Sequence, residues 1–254
     1  MGIKDLFGGG KKKAEAREKA KEVAGTGKIT PAKIEELKKV SEEHGVDFAD
    51  DKTMMRKEIY NKAVGVAKGR GKLSDAEAAE LSKIQKFLAL RDDQVEKTKF
   101  DLTRLRTLTE IRQGNLPTVA PQNVALRGAQ LNPGEVVHYA VQVTVYDRPN
   151  TGGRNGVQVK WAHPYVINSA KSDMLVVDGA KEVGEGYLLI TSKRLYLRGS
   201  TKSAAVDYSP QSNLFLYYDG VRIERQVGHT LLKFKSGSGD TAEIIGELLA
   251  ALMK

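Results

Sequence analysis

The chain contains no cysteine, which excludes disulfide bonds, thiolate nucleophiles and cysteine-based zinc or iron–sulfur sites. It has no run of about 18 apolar residues, the length that a membrane-spanning helix needs. Its four histidines, at positions 44, 138, 163 and 229, have none of the spacings that gather a metal. We therefore expect a non-enzymatic protein of the cytoplasm, without cofactor or metal.

The length and net charge of the chain exclude fewer classes of protein and partner. With 254 residues, of which 40% are apolar and 29% charged, the chain can form two ordinary domains with buried cores. The net charge of +9 favours acidic partners such as anionic lipid, nucleic acid or acidic protein. Acidic residues are interspersed with the basic ones throughout, so composition alone does not select among these partners.

Residues 1–25 start with a short apolar tip, followed by three glycines, a lysine triplet and an Ala/Glu/Lys-rich helical pattern. We interpret them as an amphipathic, basic tail whose apolar residues share one helical face, as in a short interfacial anchor. The alternative is a solvated terminus that packs on the protein's own surface. The candidate membrane or partner anchor consists of Ile3, Leu6, Phe7, Lys11, Lys12 and Lys13.

Residues 26–115 contain an internal repeat with an offset of 44 residues, because residues 27–30 recur in kind as residues 71–74. Thr30 and Ser74 are helix N-cap candidates, and Ser74 with Glu77 fits the capping-box pattern. Apolar residues follow each cap at three- to four-residue spacing. We therefore predict two helical hairpins, with second helices near residues 50–68 and 92–112, stacked into a small bundle.

The two Gly-Lys sites of this repeat can be aligned with two known loops. The phosphate-binding motif fails, because Ile29 and Leu73 stand where Ser or Thr must follow the lysine. The 12-residue calcium loop fits at its glycine and its aliphatic position, but oxygen ligands are too few, although the turn itself can form without metal. The residues at ligand positions one, three and five are Glu22, Ala24 and Thr26 in the first loop and Val66, Lys68 and Arg70 in the second.

Residues 71–77, Gly-Lys-Leu-Ser-Asp-Ala-Glu, and residues 88–90, Leu-Ala-Leu, resemble helical signatures of the tellurite-resistance TerB-like fold. The resemblance implies a helical domain connected with stress or tellurite resistance. The acidic metal-binding positions of that family are not carried over, because this chain has basic residues there, at Lys68, Arg70 and Lys72.

Residues 116–132 are rich in glycine and proline, which indicates a linker. After it, apolar and polar residues alternate from Val137 to Val145, as in a half-buried strand, and again at Val157, Val159 and Trp161. Residues 184–199 have the pattern of two apolar strands folded back through a Thr-Ser-Lys turn. Further strands are predicted at 213–219, 221–226 and 229–235, followed by an amphipathic helix over 240–253.

In this order, with the sheet first and one helix last, residues 133–254 resemble pleckstrin-homology (PH)-like and GRAM-like domains, particularly the bacterial PH-like group. That group has a Gly-x-Leu/Val-x-Ile-Thr-x-x-Arg-Leu hairpin in mid-domain. The resemblance implies an antiparallel barrel or sandwich capped by the helix, with strand edges that can form a homo-oligomer. The matching residues are Gly186, Leu188, Ile190, Thr191, Arg194 and Leu195.

PH-like domains that bind phosphoinositides hold the phosphates with basic residues of their hairpins, because Lys and Arg form charge-assisted hydrogen bonds. A solvated polar turn would carry the same residue types without a ligand. Arg194 also belongs to the hairpin pattern and can serve the turn itself. The candidate anion- or lipid-binding residues are Lys193, Arg194, Arg198 and Lys202.

We therefore expect an α+β protein of two domains that acts as an adaptor or scaffold, docking to a protein partner or to an anionic membrane on its inner face. The alternative is a nucleic-acid-binding protein that uses its basic helices. Lys97, Arg104 and Arg112 share a helical face, but Asp101 interrupts it and argues against this alternative.

Overall fold

The computed structural model describes residues 3–27, 29–50, 54–148, 157–158, 174–201, 203–209, 213–225, 228–236 and 238–253, with backbone alone for 3–9, 157–158 and 238. The chain forms two compact units, Met1–Thr109 and Glu110–Lys254. The first unit is helical, and the second is an antiparallel sheet followed by one helix. This confirms the predicted α+β class.

Five helices make up the described part of the first unit, and the last of them runs across its boundary. Short 3-10 turns, Phe48–Asp50 and Asp92–Gln94, precede the third and fifth helices. The helices are α1 (Ile3–Gly25), α2 (Ala32–His44), α3 (Met55–Arg70), α4 (Asp75–Phe87) and α5 (Glu96–Arg112).

The second half of α1 lies in the core of the helical unit. Ala16, Ala20 and Ala24 are fully buried, and α1 contacts both α2 and α3. Alanines four residues apart form one narrow stripe, which lets neighbouring helices approach closely. The sequence analysis separated residues 1–25 from the bundle, but residues 16–24 contribute to its core. The sequence did not reveal this burial, because alanine also occurs on exposed helices.

The helix starts differ between α2 and α4. Ser74 and Glu77 form the predicted capping box at α4: the Ser74 N–H donates to Glu77 Oε2 at 3.0 Å, and the Glu77 N–H donates to Ser74 Oγ at 3.4 Å. At α2 the predicted cap is wrong, because the N-cap residue is Pro31 and no side chain caps the helix. Thr30 instead accepts the Lys33 N–H with its backbone carbonyl, at 3.1 Å.

The ends of α2 and α4 are alike. Gly45 has a φ of +59° and Ala89, 44 residues later, a φ of +47°. At each end this residue donates to the carbonyl three residues back, and the next residue donates to the carbonyl five residues back. The left-handed region favours glycine, so Ala89 carries backbone strain that Gly45 does not.

In the second unit, seven strands and the two-residue β2 form one antiparallel sheet that curls into a half-barrel. The strand order is β2-β6-β7-β8-β1-β3-β4-β5. Helix α6 (Ser238–Leu252) follows the last strand. The strands are β1 (Val137–Arg148), β2 (Val157–Gln158), β3 (Lys181–Thr191), β4 (Arg194–Gly199), β5 (Ser203–Asp207), β6 (Leu214–Tyr217), β7 (Gly220–Glu224) and β8 (His229–Phe234).

These bounds confirm the predicted hairpin at 184–199, the three strands that follow residue 213, and the terminal helix. The edge strand β5 was not predicted. Val159 and Trp161, which continue the alternation of β2 in the sequence, lie outside the described residues. Helix α6 contacts β1, β3 and β6. Its apolar face is buried through Ile244, Ile245, Leu248 and Leu249.

Residues 116–132 pack on the sheet as part of the second unit. The Val119 N–H donates to the Val137 carbonyl at 2.8 Å, and Ala125, in a 3-10 turn, is 1% exposed. Ala125 joins Val137, Leu189 and Tyr196 in an apolar cluster. The predicted linker is thus a covering segment, because its scattered apolar residues are enough to dock it although they have no periodicity.

Candidate functional site

Arg194, the central member of the predicted anion site, is held in a buried network at the β3–β4 turn. Its Nε donates to Glu135 Oε1 at 3.0 Å, and its Nη2 donates to the Gln130 carbonyl at 2.7 Å. The Glu135 side chain is fully buried, and that of Arg194 is 16% exposed. The guanidinium also lies 4.8 Å from the Tyr196 ring centroid, within cation–π range.

Thr191 completes this network. Its Oγ1 donates to Glu135 Oε1 at 2.6 Å and accepts the N–H groups of Lys193 and Arg194 at 3.2 and 3.0 Å. Burial alone would raise the pKa of Glu135, but the hydrogen bonds from Arg194, Thr191 and Asn132 outweigh it and lower that pKa. The charged pair is therefore a structural clasp that fixes the turn.

The other described cations of the predicted site also bind the covering segment. Lys193 Nζ donates to the Pro133 carbonyl at 2.9 Å. Arg198 donates to the Arg127 carbonyl, and its guanidinium lies 5.0 Å from the Tyr187 ring centroid. Lys202 lies outside the described residues. All three described side chains thus hold segment 116–135 against the hairpin, a role that the sequence pattern did not reveal.

The second candidate site, at the start of α1, has a different environment. The helical backbone begins at Ile3, and Ala16 is the first buried residue among the described side chains of this 23-residue helix. Lys11, Lys12 and Lys13 are exposed. None of the three forms an ion pair with any side chain that the structure describes. The side chains of Ile3, Leu6 and Phe7 lie outside the description.

Several cations elsewhere in the helical unit pair with acids. Lys99 pairs with Asp92 at 2.5 Å, Arg106 pairs with Asp75 at 2.9 Å, and Lys68 pairs with Asp101. Mixed charge of this kind gives no one-sided basic stripe along α5. A nucleic-acid backbone would require such a stripe.

A groove of about 1060 Å³ lies between α1 and α3, lined by residues of both signs. Lys21 spans it, with its Nζ 2.8 Å from Glu58 Oε2 and 3.0 Å from Glu18 Oε1. These two hydrogen bonds raise the pKa of Lys21. The ion pairs neutralise the walls at this point, so the groove does not present a field of one sign to a ligand.

Within the described ranges, no three His, Asp or Glu side chains are grouped so that they could hold a metal ion. His138 Nδ1 instead lies 2.7 Å from the Pro117 carbonyl, and His163 lies outside those ranges. None of the described helices has both the length and the apolar character needed to cross a bilayer.

Comparison with known proteins adds no assignment. No protein-family model matches the chain. No curated protein matches it either.

Proposed function

We propose that this protein is a non-enzymatic scaffold that docks on an anionic membrane surface through the start of α1. One observation carries the proposal: Lys11, Lys12 and Lys13 are exposed on a helical stretch that precedes Ala16, the first buried residue among the side chains that the structure describes. Cations that are not engaged within the protein remain available to lipid headgroups. The apolar residues Ile3, Leu6 and Phe7 of the same helix would enter the interface beside them.

The expected affinity of the protein for an anionic membrane is modest. Each lysine close to an anionic leaflet contributes about 1 kcal/mol, so the triplet contributes on the order of 3 kcal/mol at physiological ionic strength. Binding of this kind is reversible and salt-sensitive, because ions screen the attraction beyond about 8 Å. In a cell, the inner face of the membrane, with its anionic lipids, would be the matching surface.

The half-barrel and its helix support the proposal that residues 133–254 form a PH-like domain, and the clasp around Arg194 supports a structural role for the motif residues of its hairpin. The same clasp argues against using that hairpin to bind phosphate. Self-association would proceed through β5, an edge strand of the sheet.

The matching ends of α2 and α4 support a second structural proposal, that residues 26–115 are two copies of one hairpin in a TerB-like domain. The left-handed residues Gly45 and Ala89 stand 44 residues apart, as do the two 3-10 turns. A part in stress or tellurite resistance is proposed on this likeness alone. The charge pairing along α5 argues against a nucleic acid as the partner.

Co-sedimentation of the unmodified chain with vesicles tests the function. We expect binding to phosphatidylcholine vesicles that contain a third of phosphatidylserine, no binding to pure phosphatidylcholine, and release as salt rises from 0.1 to 0.5 M. Equal binding to both vesicles would contradict an electrostatic anchor. The absence of binding to either would contradict membrane docking and leave a protein partner as the acidic surface to be sought.

A further inference from the structure

Two loops of the helical unit have the backbone features of calcium loops. When residues 22–33 and 66–77 are aligned with the 12-residue calcium loop, Gly27 and Gly71 stand at position six, where that loop requires glycine for its sharp turn. Both glycines have a left-handed φ, +59° and +63°. Ile29 and Leu73, at position eight, are both buried. The described parts of both loops therefore share the turn.

In the first loop, a lysine stands at position twelve, where the calcium loop has a bidentate glutamate. Lys33 is 3% exposed, and its Nζ donates to the carbonyls of Val23 at 2.9 Å, Ala24 at 3.1 Å and Thr26. An ammonium group has three donors, and all three are used. These carbonyls lie at the end of α1, where helical carbonyls lack partners within the helix.

The second loop contains a different cation. Glu77 keeps the acidic residue of position twelve, and the guanidinium of Arg70, at position five, reaches it through Nη2. Arg70 Nε also donates to the carbonyl of Val66, at position one, at 3.3 Å. Burial alone would raise the pKa of Glu77, but hydrogen bonds from Ser74 and Arg70 outweigh it and lower that pKa. The carboxylate is therefore charged beside the guanidinium.

We propose that both loops are cation sites filled by side chains of the chain itself, the Lys33 ammonium in one and the Arg70 guanidinium in the other. Each cation joins the first part of its loop to the residue at position twelve, as a calcium ion joins them in a loaded loop. The helices on either side are thereby fixed without an ion from solution. The helical unit is a constitutive scaffold, not a calcium sensor.

This inference is independent of membrane docking, and thermal unfolding of the full chain tests it. We expect the same Tm in excess CaCl2 and in excess EDTA. Lys33→Met keeps the apolar stem of the side chain but removes the ammonium that bonds three carbonyls, of which only that of Val23 keeps another donor among the described residues, Thr26. It should therefore lower the Tm of the helical unit by on the order of 5 °C or more. Lys39→Met, on an exposed position of the same helix, is the control and should change little.

A Tm that rises with calcium or falls with EDTA would overturn the proposal, as would a Lys33→Met variant that unfolds like the control. Hydrogen exchange should locate the loss of protection in residues 22–33. If Lys33→Met does not fold, that failure counts for the proposal only when Lys33→Arg, which keeps a cation there, recovers at least part of the lost Tm.

A further variant introduces acidic ligands into the first loop. The triple change Ala24→Asp, Thr26→Asp and Lys33→Glu, together with the native Glu22, places carboxylates at positions one, three, five and twelve. We expect its Tm to fall in EDTA and to recover in CaCl2 by several degrees, on the order of 5 °C. A variant that shows no response to calcium would mean that the loop lacks the calcium-loop geometry, and the proposal would fail.

Discussion

The start of α1 and the β3–β4 hairpin are both rich in cations, but they use them differently. In the hairpin, Arg194 and Arg198 donate to carbonyls of the covering segment, and Arg194 also neutralises the buried Glu135. In α1, Lys11, Lys12 and Lys13 are exposed and precede Ala16, the first residue of the helix whose described side chain is buried. Basic side chains are thus bonded within the protein in one region and exposed to solvent in the other.

The difference has a physical origin. A cation that lies near an unpartnered carbonyl or a buried carboxylate is drawn into the protein, because those groups are costly to leave without a partner. The middle of an exposed helix presents no such groups, since its carbonyls are bonded within the helix, unlike the last four. Basic residues next to irregular backbone are therefore weaker candidates for ligand binding than basic residues on a regular, exposed helix.

The largest effect expected from this comparison is that of Arg194→Met. It removes the charge that compensates the fully buried Glu135 carboxylate, so the second unit should lose about 3 kcal/mol of unfolding free energy. Hydrogen exchange of residues 130–199, followed by mass spectrometry, would measure the loss. Lys181→Met, at an exposed position of β3, is the control and should stay within about 0.5 kcal/mol. If both variants lost the same unfolding free energy, the pair of Arg194 and Glu135 would not be a stabilising clasp.

The second-largest effect is expected from acid, which should weaken the clasp between Glu135 and Arg194. Because the pKa of Glu135 is lower in the folded protein than its ordinary value near 4.3, the stabilisation is complete well above pH 4.3 and is lost as the pH falls through the folded pKa. We expect the second unit to become less stable below about pH 4. The double variant Glu135→Gln with Arg194→Met should show a shallower decline in urea titrations between pH 3 and 6. Parallel declines would contradict a charged Glu135.

A smaller effect is expected for Arg198→Met. This change removes the hydrogen bond to the Arg127 carbonyl and the contact with the Tyr187 ring, but it leaves no buried carboxylate behind. The loss should be about 1 kcal/mol, with faster exchange in residues 119–131. Vesicle binding should be unchanged. A loss of binding without a loss of stability would mean that the hairpin is the anion site after all.

The smallest effect on stability belongs to the lysine triplet. Replacing Lys11, Lys12 and Lys13 together by Gln should change the unfolding free energy by less than about 0.5 kcal/mol, because their side chains are exposed. Thermal unfolding measures this. A large loss would mean that the triplet, like Arg194, is structural, and the contrast between the two regions would disappear.

Local patterns were the most predictable part of the fold. The hairpin of β3 and β4 has a continuous apolar run on each side of a polar turn, and Ser74 with Glu77 is a cap defined by two positions. Strand β5 was not predicted because its sequence, Ser-Ala-Ala-Val-Asp, has only one residue of high strand propensity, Val206, and pairing with β4 decides its conformation. Pairing with a neighbouring strand can thus stabilise a strand whose own sequence has low strand propensity.

The roles of the cations were beyond the sequence for the same reason. Nothing near Arg194 in the chain announces Glu135, which lies 59 residues away and meets it only after the sheet forms. Lys33 could be recognised as an unusual residue at position twelve of a calcium-like loop, but its three carbonyl partners depend on how α1 ends. Charged residues can be counted in a sequence, but their interaction partners are known only once the fold is known.

The central claim, that the lysine triplet at the start of α1 binds the membrane, is tested most directly by vesicle binding of two charge-matched triple variants. Lys11, Lys12 and Lys13 are changed to Gln in one, and the exposed Lys39, Lys72 and Lys97 are changed to Gln in the other. We expect the first variant to lose on the order of a hundredfold in affinity for anionic vesicles, because three lysines at roughly 1 kcal/mol each contribute on the order of 3 kcal/mol, and the second to keep most of its binding. Equal binding by both variants would contradict the claim.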